Sequence, residues 1–122
     1  MIYHKLVLPE FLNDQGSLFG GYLLKWIDEY AYITASLLYP GNKFVTIALD
    51  DVVFKHAIRM GEILGFEVEQ SRMGNSSVQF AVKVLGERDV YSDKTVYFET
   101  RITFVNIDEQ GNNWNTSFEL PL

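Results

Sequence analysis

Asn13, Gly20, Gly21 and Asp28 are the residues of this chain best suited by type and spacing to do chemistry. A glycine pair opening a helix lets another molecule's backbone or a small acyl group come close, because neither residue carries a side chain. The first amides of a helix have no partner within it and can stabilise a developing negative charge. Asn13 precedes the pair in Asn13-Asp14-Gln15-Gly16-Ser17-Leu18-Phe19-Gly20-Gly21, and Asp28 follows two turns on. An amide side chain, bare backbone amides and a carboxylate together are the groups that hydrolysis of a thioester requires.

These groups need a helix to carry them, and the spacing predicts one from Gly21 to Leu38. Projected at about 100° per residue, Leu23, Ile27, Ala31, Thr34 and Leu38 share one face, with Leu24, Ala35, Trp26, Tyr30 and Leu37 beside them. Lys25, Glu29 and Ser36 lie opposite. Asp28 borders the apolar face, so it, rather than Glu29, is expected to be the partly buried carboxylate. Partial removal from water makes a carboxylate a better base near neutral pH. So wide an apolar stripe suits a helix wrapped by a sheet, and Pro40-Gly41-Asn42 ends it.

The rest reads as strands. Candidates are Lys5 to Leu8 (stopped by Pro9), Phe44 to Phe54, Ile63 to Gln70, Ser77 to Leu85 and Thr95 to Ile107. Met60-Gly61, Met73-Gly74-Asn75 and Glu87-Arg88-Asp89 supply turns. One strand, one long helix and four strands with short connections leave no room for parallel crossovers. An α+β fold is predicted, with an antiparallel sheet curled around one central helix.

A length of 122 residues fits one domain, 1–122. Hydrophobic residues at 48% and charged residues at 21% exclude a mainly disordered chain. The absence of cysteine excludes disulfides, thiolate metal sites and a cysteine nucleophile, and two distant histidines make no metal site. The first residues lack a signal-peptide pattern and no apolar run is long enough to span a membrane, so a cytoplasmic protein is expected. The net charge of -6 argues against nucleic-acid binding and requires any anionic ligand to be held by local groups.

The motif Asn13-x-x-Gly16-x-x-Phe19-Gly20-Gly21 is followed by Trp26-Ile27-Asp28-Glu29. Further on come Val45-Thr46-Ile47-Ala48-Leu49-Asp50, Phe54, Gly61-Glu62, Gly74-Asn75-Ser76-Ser77 and Thr103-Phe104-Val105. In these segments the chain resembles the hotdog-fold acyl-CoA thioesterases of the short bacterial acyl-CoA hydrolase type, similar also to the domains of larger cytosolic acyl-CoA hydrolases. The resemblance implies a hotdog fold, with about five antiparallel strands wrapped around one long central helix. It implies hydrolysis of acyl-CoA to free acid and coenzyme A, with no metal or other cofactor and with coenzyme A present only as part of the substrate or product. It implies a homodimer with sheets joined edge to edge, assembled into hexamers as trimers of dimers, and neither nucleic acid nor membrane as partner. Active sites would lie in the dimer interface, Asn13 of one subunit facing Asp28 of the other.

The same resemblance gives roles to residues. Asp28 would act as general base, or as nucleophile through an anhydride. Gly20 and Gly21 would supply the oxyanion hole, and Asn13 would hold the water or polarise the carbonyl. Gly16, Phe19 and Thr46 would bind substrate, Thr46 and Asp50 in supporting roles. The loop Gly74, Asn75, Ser76, Ser77 would contact coenzyme A, and Arg59 and Arg72 are chosen for its phosphates from a basic group that includes Lys55 and His56. By residue type alone, Asp28 suits a surface ion pair, Asn13 a turn, and Gly74 to Ser77 a hairpin. Ala57 departs from the family's proline. Large helix residues, Trp26, Tyr30 and Ile33, are expected at the pocket floor and favour short or medium acyl chains. Two other functions fit the fold: hydrolysis of an acyl group on a carrier protein, and a non-catalytic acyl-CoA binding or sensing module.

Overall fold

The structure, a computed structural model, describes residues 1–54, 56–87 and 95–112. Lys55, and the Arg88-Asp89 part of the predicted turn, lie outside the described residues. The strands are β1 (Ile2–Leu6), β2 (Phe44–Leu49), β3 (Ile63–Met73), β4 (Ser77–Gly86) and β5 (Val96–Asn106); the helix α1 is Gly20–Leu38. A single 3-10 turn, Pro9–Phe11, follows β1. The sheet order is β1-β3-β4-β5-β2, antiparallel at every pairing. Among the described residues, β1 and β2 are therefore its edges.

Alternation along the central strands decides which face meets the helix. Val78, Phe80, Val82 and Val84 of β4 are buried, as are Phe66 and Val68 of β3 and Phe98, Ile102 and Phe104 of β5. Against them α1 buries Leu23, Trp26, Ile27, Ala31, Thr34 and Ala35. Extra residues in β2, β3 and β5 mark irregular points in the ladder, which increase twist and let the sheet curl. Most of the predicted stripe is thus the buried face of α1; Leu24, Tyr30 and Leu38 are half-buried at its margins, and Leu37 is exposed.

Three strands differ from expectation. β3 runs on to Met73, past Gln70, because its pairing with β4 continues to Met73 opposite Val78. β1 lies earlier than Lys5 to Leu8, because its register is fixed by pairing Ile2 to Glu67 and Leu6 to Ile63. Val7 is buried beyond the strand, its backbone tied to Glu62 and Gly61. β2 ends at Leu49 rather than Phe54. After Asp50 donates its amide to the Arg101 carbonyl at 2.9 Å, the chain leaves the sheet and carries Phe54 towards α1.

Candidate active site

The segment before α1 is a tight turn built around Asn13. Its side-chain oxygen accepts hydrogen bonds from the amides of Gln15 at 2.9 Å and Ser17 at 3.1 Å. Its own amide donates to the Ser17 carbonyl at 2.7 Å. Gly16 takes a φ of 78° inside this turn, the left-handed region that favours glycine. Asn13 is therefore the turn residue its type suggests. With its carbonyl committed, its NH2 group is the part left to act as a donor.

At the head of α1 the residue before the helix is Phe19, which makes no side-chain capping bond. The amides of Gly20 and Gly21 belong to the first helical turn and have no intrahelical acceptor. The two glycines differ sterically. A Cβ at Gly20 would stand 3.1 Å from Phe54 Cζ, whereas one at Gly21 would meet only the Phe19 ring at 3.6 Å. A side chain at Gly20 would have to push the Phe54 ring aside by a few tenths of an ångström, whereas one at Gly21 would not.

Asn13 and Gly20 line one cleft of about 380 Å³ together with Ser17, Leu18, Leu23, Phe54, His56, Ala57 and Ile58. Arg59 pairs with Ser17 beside it. Asp28 is elsewhere. It stands about 12 Å along α1 from Gly20, at roughly 1.5 Å per residue. Thr46 Oγ1 donates to Asp28 Oδ1 at 2.6 Å, binding the helix to the edge strand β2. The Gly74 to Ser77 turn joins β3 to β4, with Gly74 donating to the Ser77 carbonyl at 2.8 Å. Ser77 is opposite Val105, which is opposite Val45, so this turn sits at the end of the sheet where β2 begins, with β5 between them. Arg72, opposite Gln79, belongs to the same end.

Within one protomer the expected residues thus fall into two groups. Asn13, Gly16, Phe19, Gly20, Gly21 and Arg59 belong to the start of α1 and its surroundings. Asp28 and Thr46 join α1 to β2, with Gly74 to Ser77 at the same end of the sheet, while Arg72, opposite Gln79, lies apart on the face of the sheet away from the helix.

Three expectations change. Asp28 is exposed in the single protomer rather than partly buried, because the strand beside it is an edge. Asp50 lies apart from Asp28, in an acid-rich groove of about 760 Å³ on the outer face of the sheet with Asp51, Glu67, Glu69 and Glu99. Trp26, Tyr30 and Ile33 do not line the cleft: Trp26 packs on Phe11 and Tyr22, and Tyr30 stacks on Tyr3 and meets Phe66. The cleft instead uses Leu23, Phe54, His56 and Ile58; of these the sequence marked Phe54 in the family motif and His56 among the basic residues, neither for the acyl pocket. Leu23 and Ile58 look like ordinary core residues in the sequence. The signal for Phe54 was an apolar ring placed just after the strand ends.

A curled five-stranded antiparallel sheet around a single helix, with a glycine pair opening that helix, defines a hotdog-fold protein. The chain belongs to the thioesterase superfamily, whose family model matches residues 15–92. It is 38% identical over 90 residues to acyl-coenzyme A thioesterase 11 of Mus musculus, covering 74% of this chain and 15% of that protein. It is 34% identical over 97 residues to protein VdlD of Helicobacter pylori strain 26695, covering 76% of this chain and 55% of that protein. The chain thus spans only part of these relatives. Among solved structures, an acyl-CoA hydrolase from Staphylococcus aureus, in complex with butyryl coenzyme A, coenzyme A and coenzyme A disulfide, superposes with a TM-score of 0.85. That pair is 29% identical, over 95% of this chain and 70% of the other. A hexameric hotdog fold thioesterase of Campylobacter jejuni superposes with a TM-score of 0.79 at 29% identity, over 94% and 88% of the two chains. No helix among the described residues is long and apolar enough to cross a membrane.

Proposed function

We propose that this protein hydrolyses acyl-CoA thioesters to a free carboxylic acid and coenzyme A, in sites shared between two subunits. The observation that carries this reading is the separation of the machinery. One protomer holds Asn13 and Gly20, at the uncapped start of α1, in a cleft, and holds Asp28 on the far side of two helical turns, beside an open sheet edge. Val45 and Ile47 on that edge are 41% and 59% exposed. An exposed apolar edge strand invites pairing with another strand. Joining two β2 edges about a two-fold axis would cover it and let each Asp28 face the other subunit's cleft.

In such a site the Gly20 and Gly21 amides and the Asn13 NH2 group would hold the thioester oxygen as it becomes negative. Asp28 takes a proton from water as the water oxygen bonds to the carbonyl carbon. When the carbon–sulfur bond breaks, that proton goes to the departing thiolate. Thr46 fixes one carboxylate oxygen and leaves the other to handle the proton. The S. aureus acyl-CoA hydrolase supports these assignments: an aspartate, a threonine and an asparagine there have each been replaced by alanine. Its asparagine-to-aspartate spacing equals that of Asn13 and Asp28, and its aspartate-to-threonine spacing differs by one residue.

The coenzyme A portion would run along Gly74 to Ser77, with Arg59 and Arg72 offered to its phosphates and Gly16 and Phe19 flanking the acyl end. No metal or further cofactor takes part in this reading, and the dimers would assemble into a hexamer, as the named C. jejuni thioesterase does. Release of free thiol from a panel of acyl-CoAs tests the proposal. The wild-type protein should turn over at least one of them, and Asp28→Ala should be slower by about 10²–10⁴-fold while remaining folded. Full activity in Asp28→Ala would refute the assignment.

A further inference from the structure

We infer that Phe54 sets the length of acyl chain the site accepts, an inference that rests on the acyl-CoA hydrolase reading and names a determinant within it. Beyond β2 the backbone follows an irregular path that returns the Phe54 ring to the start of α1. One side of the ring is backed by Phe98, stacked at 5.8 Å with planes 14° apart. Gly20 lies so close that even a methyl group there would press on the ring. Yet Phe54 is 52% exposed, and it lines the same cleft as Asn13 and Gly20.

An acyl chain whose carbonyl rests at the Gly20 amide must run against this ring. The apolar residues around it are Leu18, Leu23 and Ile58. Leu23 and Ile58 are buried and held by the core, so they cannot recede. Phe54 is the large wall with open space on one side, backed by the stacked Phe98 ring and set against the bare Gly20. The bulky helix residues Trp26 and Tyr30 are packed on the β1 side and do not reach the chain. The part of the cleft that one protomer builds, about 380 Å³, is near the small end of ligand pockets, which run from roughly 300 to 1,000 Å³. With Phe54 in place, short acyl groups are favoured.

The test measures kcat/KM for straight-chain acyl-CoAs from acetyl to palmitoyl with wild type, Phe54→Ala and Phe54→Trp. Phe54→Ala should move the optimum to longer chains and raise the long-to-short ratio by about tenfold or more, the discrimination that even one methylene can produce in an apolar pocket. Phe54→Trp should move it to shorter chains. A ring needed only for folding would lower every substrate alike, so profiles that superimpose on the wild type after scaling overturn the inference. If Phe54→Ala does not fold, the direction of the Phe54→Trp shift decides. A wild-type protein inactive on every acyl-CoA overturns the underlying reading together with this one, whereas an active wild type with unshifted variants overturns this one alone.

Discussion

Thr46 donates its hydroxyl proton to Asp28 Oδ1 across 2.6 Å, from an edge strand to the middle of the only helix longer than one turn among the described residues. The bond ties the orientation of a carboxylate to the strand that the proposed dimer would bury. A carboxylate so held has one oxygen engaged and one left for chemistry, which suits a base that must receive a proton from a single direction.

Replacing Thr46 by Val removes that donor and keeps the shape, so kcat should fall by about tenfold, in line with the loss of one hydrogen bond to a charged group. Thr46→Ser keeps the donor and should retain most of the rate. Steady-state kinetics on the best acyl-CoA would check both, and equal rates for the Val and Ser variants would show that the bond has no part in turnover.

Gly21→Ala should separate stability from activity. Its Cβ would make an ordinary 3.6 Å contact with Phe19, and alanine favours a helix by up to about 1 kcal/mol over glycine. Thermal unfolding should therefore show a Tm that is unchanged or higher. Activity should nevertheless fall several-fold, since a methyl group would intrude where the thioester must approach the amide. A variant as active as wild type would mean that this amide is not used.

Burial, reinforced by the neighbouring Glu29 carboxylate, raises the ionisation of Tyr30 above the usual tyrosine range. The folded state then keeps the phenolic proton at a pH where the unfolded chain has lost it. Tyr30's contribution is fully present below about pH 10 and is lost as pH rises from there through the raised value. Above about pH 10, denaturant unfolding should show wild-type stability falling more steeply than that of Tyr30→Phe. Parallel curves would contradict the shift.

Much of the fold could be read from the sequence because its periodicities are clean. The β4 alternation named Val78, Phe80, Val82 and Val84, all buried, and the helical spacing placed the start of α1 one residue from Gly20. What could not be read depends on partners distant in the chain. The limits of β1 come from its register with β3, and β2 stops where its backbone turns away from β5. Helical projection put Asp28 at the border of the apolar face, but it carries no information that the adjacent strand is an edge, so the side chain is exposed. Nor can a wide stripe say which strand each residue meets: Trp26 and Tyr30 lie towards β1, away from the cleft. Asn13 could be read both ways, and the structure shows the turn; its part in the reaction rests on the cleft it shares with Gly20.

Coexpression of Asn13→Ala with Asp28→Ala tests most directly whether two subunits build each site. Each variant alone should be nearly inactive. In a mixed two-fold dimer one shared site carries both changes and the other carries neither, so random assembly should restore about a quarter of wild-type activity. Activity of the mixture that stays at the level of the single variants would place Asn13 and Asp28 in the same subunit's site, or outside it, and would contradict the account.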